Sequence, residues 1–278
     1  MYDLIDSTAD YLVVSKHGGV DFHKTSRGEG VVERLRADLG RAEIYPVHRL
    51  DTITSGLLIL ARTRPCLVEL SRQFRERAVS KFYVAVADGH PKKKQGTIVG
   101  DMKKGRNGEW ILARSLTRPA VTQFISAGLG NGLRLYLLRL LTGRTHQIRV
   151  ALKSVGAPVL GDAAYAGKRY DSFAPDRGYL HAYALRFTLN GVQHDYVDAP
   201  RTGRFFTEEP CTAALAGFGP PWTVPWPAVS PVILRRISHA ARVNQAGVRP
   251  TRAPAEARPL RESPPSPATA RTAADHTA

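Results

Sequence analysis

HRLDTITSGLLILAR, residues 48–62, sets His48, Arg49 and Asp51 directly ahead of an apolar run from Leu57 to Ala61. A short continuous run of that kind suits a buried strand, here GLLILA (56–61). Three ionisable side chains in front of it form either a solvated turn or a site that the strand holds in place. Upstream, YLVVS (11–15) reads as a strand, HGG (17–19) as a turn, and VVERLRADLG (31–40) as a helix with Val31, Leu35 and Leu39 on one face and Gly40 at its C-terminal cap. Downstream, RPCLVELSRQFRERAVS (64–80) puts Leu67, Leu70 and Phe74 on one helical face, and KFYVAVA (81–87) alternates as a strand.

The remaining pattern continues this mixture. HPKKKQGTIVGDMKKGRNGEW (90–110) is rich in Gly and Lys and reads as an exposed hairpin. VTQFISA (121–127) and LRLYLLRLL (133–141) read as strands joined at GLGNG (128–132). HQIRVALKSVG (146–156) places Ile148, Ala151, Leu152 and Val155 on a helical face that Gly156 ends, and YLHAYALRFTL (179–189) reads as a further strand. Strands and helices mix without strict alternation, which predicts an α+β fold.

The chain has 278 residues, with 40 Lys and Arg against 24 Asp and Glu, for a net charge of +16. Residues 230–278 hold eight Arg and no Lys against three acids, a net of +5, so +11 stays on residues 1–229. A surplus on the body points to a polyanionic partner. The Pro-, Ala- and Arg-rich segment from 230 onward is expected to be a disordered basic tail, and residues 1–229 one catalytic domain. The two cysteines, Cys66 and Cys211, have no CxxC partner, so neither a zinc site nor a disulfide framework is expected. The first residues lack a basic leader, and LRLYLLRLL is broken by Arg134 and Arg139, so a soluble, cytoplasmic chain with no membrane association is expected.

Several chemistries lack their signatures. There is no GxxxxGK[ST] loop, no G-x-S-x-G elbow, and no P-C-x-x-C after an H-x-E, while GLGNG sits between strands. What remains is polar residues at element ends. They are Asp51 behind His48 and Arg49, Tyr83 in its strand, and Arg144, His146 and Arg149 in TGRTHQIR at a helix start, where an anion is well received. On spacing alone the plain readings stand beside the functional ones: Asp51 as a loop cap, Tyr83 as a core tyrosine, Arg149 as a surface arginine. Lys92, Lys93, Lys94, Lys103 and Lys104 read as a solvated loop or as an RNA contact.

Taken together, HRLDTITSGLLILA (48–61), KFYVAVADGHP (81–91), TGRTHQIRVALKSVGAPVLGD (142–162) and LHAYALRF (180–187) resemble the RNA pseudouridine synthases of the RluA class, in that family's order. The resemblance covers roughly residues 8–200 and extends to a shorter subgroup without the N-terminal RNA-binding domain seen in some members. KHGG (16–19) departs from it, since the family often has Lys-Pro before the glycine.

The resemblance implies a mixed, largely antiparallel sheet with flanking helices around a catalytic cleft. It implies isomerisation of uridine to pseudouridine in ribosomal or transfer RNA by a monomer, with no metal or cofactor. Asp51 would be the catalytic carboxylate, either adding to C1′ or removing a sugar proton. Tyr83 would pack on the uracil, and Arg149 would pair with Asp51 and keep it ionised. Arg49 would hold the RNA with its nucleotide turned out, with Arg144, His146 and Lys92–Lys94 as further RNA contacts. Two rivals use the same residues: a non-catalytic RNA-binding module on this fold, and a hydrolase of free nucleosides. The intact Asp51, Tyr83 and Arg149 set speaks against the first and the charge surplus against the second.

Overall fold

The structure, a computed structural model, describes residues 1–246 apart from Arg27, 41–42, His90, Lys92, 106–107 and 168–172; the side chains of 239–246 are likewise not described. Its centre is β4 (Thr54–Ala61), the apolar run of the opening stretch, with all eight residues buried. β2 (Tyr11–Lys16) pairs antiparallel along its whole length, and β1 (Tyr2–Ser7) adds the edge. On the other side β4 meets β10 (Leu180–Leu189) in parallel for three residues only, Thr54 to Gly56 against Leu180 to Ala182. From there the strands part. β3 (Tyr45–Pro46) takes the free side of β4 at Leu60 and Ala61, and β11 (Val192–Val197) takes that of β10 from Ala184.

Beyond β10 the sheet runs on antiparallel through β5 (Ser80–Asp88), β9 (Leu133–Leu140), β8 (Ala120–Gly130), β6 (Gln95–Lys104) and β7 (Trp110–Ala113). This is the α+β arrangement that the sequence predicts, a mixed sheet with one parallel pair among the named strands. The 90–110 hairpin is realised as β6–β7, but β6 also pairs with β8, so it extends the main sheet instead of standing free.

Gly56 lies at the parting point with φ +99°, a conformation that side chains avoid. A Cβ there would come within 2.4 Å of the Ala182 carbonyl oxygen. The glycine of Thr-Ser-Gly is therefore what lets β4 and β10 meet backbone to backbone.

The helices flank the sheet. α1 (Val31–Asp38) buries Val31, Val32 and Leu35 but ends before Leu39, which stays exposed. α2 (Arg64–Glu76) starts at Thr63, whose hydroxyl accepts from the Cys66 amide, and stops where Arg77 turns left-handed. α3 (Gln147–Ser154) buries every residue from Gln147 to Leu152, so polar Gln147 and Arg149 are buried beside its apolar face. α4 (Arg204–Thr207) and α5 (Glu209–Phe218) follow β11.

The expectation of a disordered tail from residue 230 needs correction at its start. Pro231–Ala246 forms α6, and Ile233 and Ile237 are buried on a patch with Val121, Val99 and Leu141. Their spacing of four puts them on one helical face, and the arginines between them keep the segment's composition polar. Residues 247–278 lie outside the described part.

Candidate active site

The loop from Asp51 to Thr54 is a turn closed by the Thr54 amide donating to the Asp51 carbonyl at 3.0 Å. The KHGG turn grips it from outside. The Gly19 amide donates to the Thr52 carbonyl at 2.8 Å, and the fully buried Lys16 ammonium donates to the Val20, His17 and Thr52 carbonyls at 2.8, 2.9 and 3.4 Å. Burial first, then Arg177, pushes Lys16 down to about 7. The departure at His17 has a local reason: its amide donates to the Met1 carbonyl at 2.9 Å, a bond proline cannot make. Thr52 is tied further by its hydroxyl, which donates to Asp21 at 2.6 Å.

Behind the loop, the buried Ser55 and His181 fasten β4 to β10. Ser55 Oγ and His181 Nδ1 lie 2.8 Å apart, and His181 Nε2 reaches the Asp198 carbonyl at 2.7 Å. A neutral ring carrying its proton on Nε2 satisfies both contacts, and burial lowers His181 to about 4. Arg177 donates to Ser55 Oγ at 2.5 Å. His48, first of the opening triplet, bonds to the backbone of β4 instead of to Asp51. Its Nε2 accepts the Ile59 amide at 3.0 Å, in the wedge where β4 has left β10, and its ring stacks on Phe74. Burial lowers it to about 3, so it stays a neutral acceptor.

Asp51 itself stands at the junction of three hollows. One of about 500 Å³ opens toward Asp21, Phe22 and His23. One of about 480 Å³ runs past His48, Arg77, Lys81 and Tyr83 to Arg144. A small one of about 70 Å³ between them is floored by Tyr83, Leu140, Ile148 and Leu180. Arg149 Nη1 donates to Asp51 Oδ2 at 3.3 Å. The tighter grip of that guanidinium is on Asp162, through Nε at 2.6 Å and Nη2 at 2.8 Å. Tyr165 lies under it, with the guanidinium carbon 4.8 Å from the ring centre. Asp162 is fully buried and raises the Arg149 pKa against the burial that lowers it. His146, left-handed at the start of α3, bonds Tyr165 OH through Nδ1 at 2.9 Å and keeps Nε2 3.9 Å from Asp51.

The structure thus brings together Asp51, Tyr83, Arg149, Arg49, Arg144 and His146 from the sequence reading. Arg49 is exposed, lines all three hollows and has no hydrogen-bond or ion-pair partner among the described residues. The phenol of Tyr83 is held protonated by burial and by the nearby Asp51 charge. Arg144 carries a guanidinium that burial and Arg118 lower in pKa. Lys93 and Lys94 are exposed but line none of these hollows. They precede Gln95, which pairs with Ile125, whereas the site end of β6 is Gly100 opposite Ala120, roughly 17 Å of strand away. Lys92 lies outside the described residues. Asp162, Tyr165, Ser55 and His181 had no role in the sequence reading, although all but Tyr165 stand inside its quoted motifs and Tyr165 three residues beyond one of them.

The model of one family, described as RNA pseudouridylate synthase, matches residues 10–154. The chain belongs to the RNA pseudouridylate synthase family. Its motifs are those of the RluA class, and the family consists of isomerases. This synthase is 43% identical over 204 residues to an uncharacterized RNA pseudouridine synthase of Haemophilus influenzae, covering 73% of this chain and 90% of that one. It is 36% identical over 182 residues to the dual-specificity RNA pseudouridine synthase RluA of Escherichia coli, with 63% and 78% covered. Among solved structures it is similar to human RNA Pseudouridylate Synthase Domain Containing 1, with a TM-score of 0.62, 27% identity and 72% and 84% covered. No described helix is long and apolar enough to cross a membrane, and no three His, Cys, Asp or Glu side chains among the described residues are placed to hold a metal ion.

Proposed function

We propose that this synthase isomerises a uridine in structured ribosomal or transfer RNA to pseudouridine, with Asp51 as its catalytic carboxylate and without a cofactor. The observation that carries the reading is the position of Asp51, one-fifth exposed at the meeting of three hollows and bonded to Arg149. In the reaction the N1–C1′ bond breaks, the uracil turns, C5 joins C1′, and the C5 proton leaves as N1 gains one. Uracil departs as a delocalised anion, so the second carboxylate that glycosidases use to protonate a poor leaving oxygen is not required.

Each side chain has a task in that sequence. The uridine must leave its stack for C1′ to reach Asp51. Tyr83, Leu140, Ile148 and Leu180 give the uracil a flat apolar seat. Arg49 at the rim fills the vacated stack or holds the displaced phosphate, and Arg144 and His146 line the approach. The basic body supplies long-range attraction to RNA, with residues 1–229 as the catalytic domain and the arginines beyond 246 as an added electrostatic contact.

The test is to map pseudouridine across total RNA with and without the protein. New sites that need Asp51 support the reading. RNA retained without any new pseudouridine would leave a binding module on this fold as the better account.

A further inference from the structure

Lys81 is 6% exposed, on the strand face that carries Tyr83. Phe82 between them points the other way and stacks on Trp226. The Lys81 ammonium ends in the 480 Å³ hollow beside Gly143, where a Cβ would lie 3.9 Å from Nζ. Among the described residues no carboxylate or carbonyl accepts from it; its one neighbour of note is the Phe74 ring, 5.6 Å away. Its three donors therefore face that hollow with no protein acceptor among the described residues. Burial and Arg77 lower the pKa to about 8, so the group still carries its charge at neutral pH.

The surroundings deepen the imbalance. Arg75, Arg77 and Arg144 line the same hollow, whose only acid among the described residues is Asp51. One carboxylate thus faces several cations. Lys81 and Tyr83 are two residues apart on one strand, which sets their side chains about 7 Å apart. That is the scale on which a base and its own backbone phosphate are separated within one nucleotide.

We propose that Lys81 forms the floor, and Arg77 and Arg144 the walls, of a phosphodiester subsite for the backbone phosphate adjoining the uridine that lies on Tyr83. This rests on reading the hollow as the uridine site. It gives the buried ammonium its missing acceptor only when RNA is seated, so the phosphate positions the nucleotide before its glycosidic bond is broken.

The experiment uses fluorescent pentauridylate, unmodified or with one internal phosphate at a time replaced by a neutral methylphosphonate. Wild type should lose about tenfold in affinity at one position and little elsewhere. Lys81→Met should bind the unmodified oligomer about tenfold more weakly and ignore that position, with a shallower salt dependence by about 0.7. Lys81→Arg should restore the position dependence. A Lys81→Met variant with the wild-type profile overturns the proposal, as does a wild type indifferent to every position. Should the Met variant not fold, acetylation of wild-type Lys81 read by mass spectrometry replaces it: pentauridylate must protect Lys81, and equal labelling with and without it overturns the subsite. Absence of pseudouridine with the methylphosphonate effect intact would sink the isomerase reading alone; pseudouridine without that effect would sink the subsite alone.

Discussion

Asp162, not Asp51, takes the paired face of the Arg149 guanidinium. The two bonds to Asp162 are 2.6 and 2.8 Å, and the single bond left for Asp51 is 3.3 Å. A fork matched to a carboxylate fixes the plane of the guanidinium. Asp162 therefore aims Arg149, and Arg149 then offers one nitrogen to the Asp51 carboxylate. Replacing Asp162 with Asn should destabilise the fold by about 3–5 kcal/mol, because a buried arginine loses its charged partner. Urea unfolding measures this; a loss under 1 kcal/mol would mean that Asp162 is dispensable as an anchor.

Asp51→Asn keeps the shape and removes the charge. RNA affinity should hold within a few-fold while the single-turnover rate of pseudouridine formation drops on the order of 10³-fold or more. Turnover near the wild-type rate would take Asp51 out of the chemistry.

Gly56→Ala places a methyl group 2.4 Å from the Ala182 carbonyl oxygen, on a backbone at φ +99°. Gly191→Ala, at φ +78° with nothing within 4 Å, faces backbone strain alone. The second should cost about 1–2 kcal/mol, and the first clearly more, since β10 must move. Thermal melts of the two variants side by side give the comparison, and equal losses would remove the close approach as an explanation.

His48 and His181 are neutral in the fold, lowered by burial to about 3 and about 4. In the unfolded chain each takes a proton near pH 6.5. Stability from both is thus complete above pH 6.5 and is lost as pH falls toward 4, at about 1.4 kcal/mol per pH unit for each ring. His48→Gln should remove one ring's share of that slope while its amide oxygen still accepts from Ile59. Urea midpoints at pH 7.5, 5.5 and 4.5 for both proteins check it; parallel curves would contradict a neutral His48.

α6 couples the C-terminal segment to the cleft. Ile233 and Ile237 are buried beneath it, and the Arg77 guanidinium donates to the Ile237 carbonyl. Ending the chain at Ala246 should leave the melting temperature unchanged, whereas ending it at Val229 should lower it. Ile237→Ala alone should cost about 2 kcal/mol. A chain ending at Val229 that melts like the full chain would show that α6 contributes nothing to stability.

How far the sequence alone could go follows from the kind of signal each residue leaves. Asp51, Tyr83 and Arg149 each sit in one of the motifs that carry the resemblance, and the fold sets all three around one hollow. Asp162 and Tyr165 stand in a loop after α3, where no period marks a residue as buried, and only the folded chain shows them under Arg149. Lys81 was hidden by its charge, which on a strand reads as a solvent-facing position. That the run at Lys93 and Lys94 lies away from the hollows was hidden for a related reason: charge density does not reveal which end of a strand faces them. α6 went unseen because two isoleucines among arginines make too narrow a stripe to stand out from a polar tail.

The three-residue parallel seam between β4 and β10 also orders events during synthesis. Asp51 leaves the ribosome early, but Leu180, His181 and the Asp198 carbonyl that holds His181 come more than a hundred residues later. A nascent chain that has not reached Asp198 holds the Asp51 loop through Lys16, Gly19 and Asp21 but lacks the seam behind it. The backing of the Asp51 loop by β10 is therefore completed only late in synthesis.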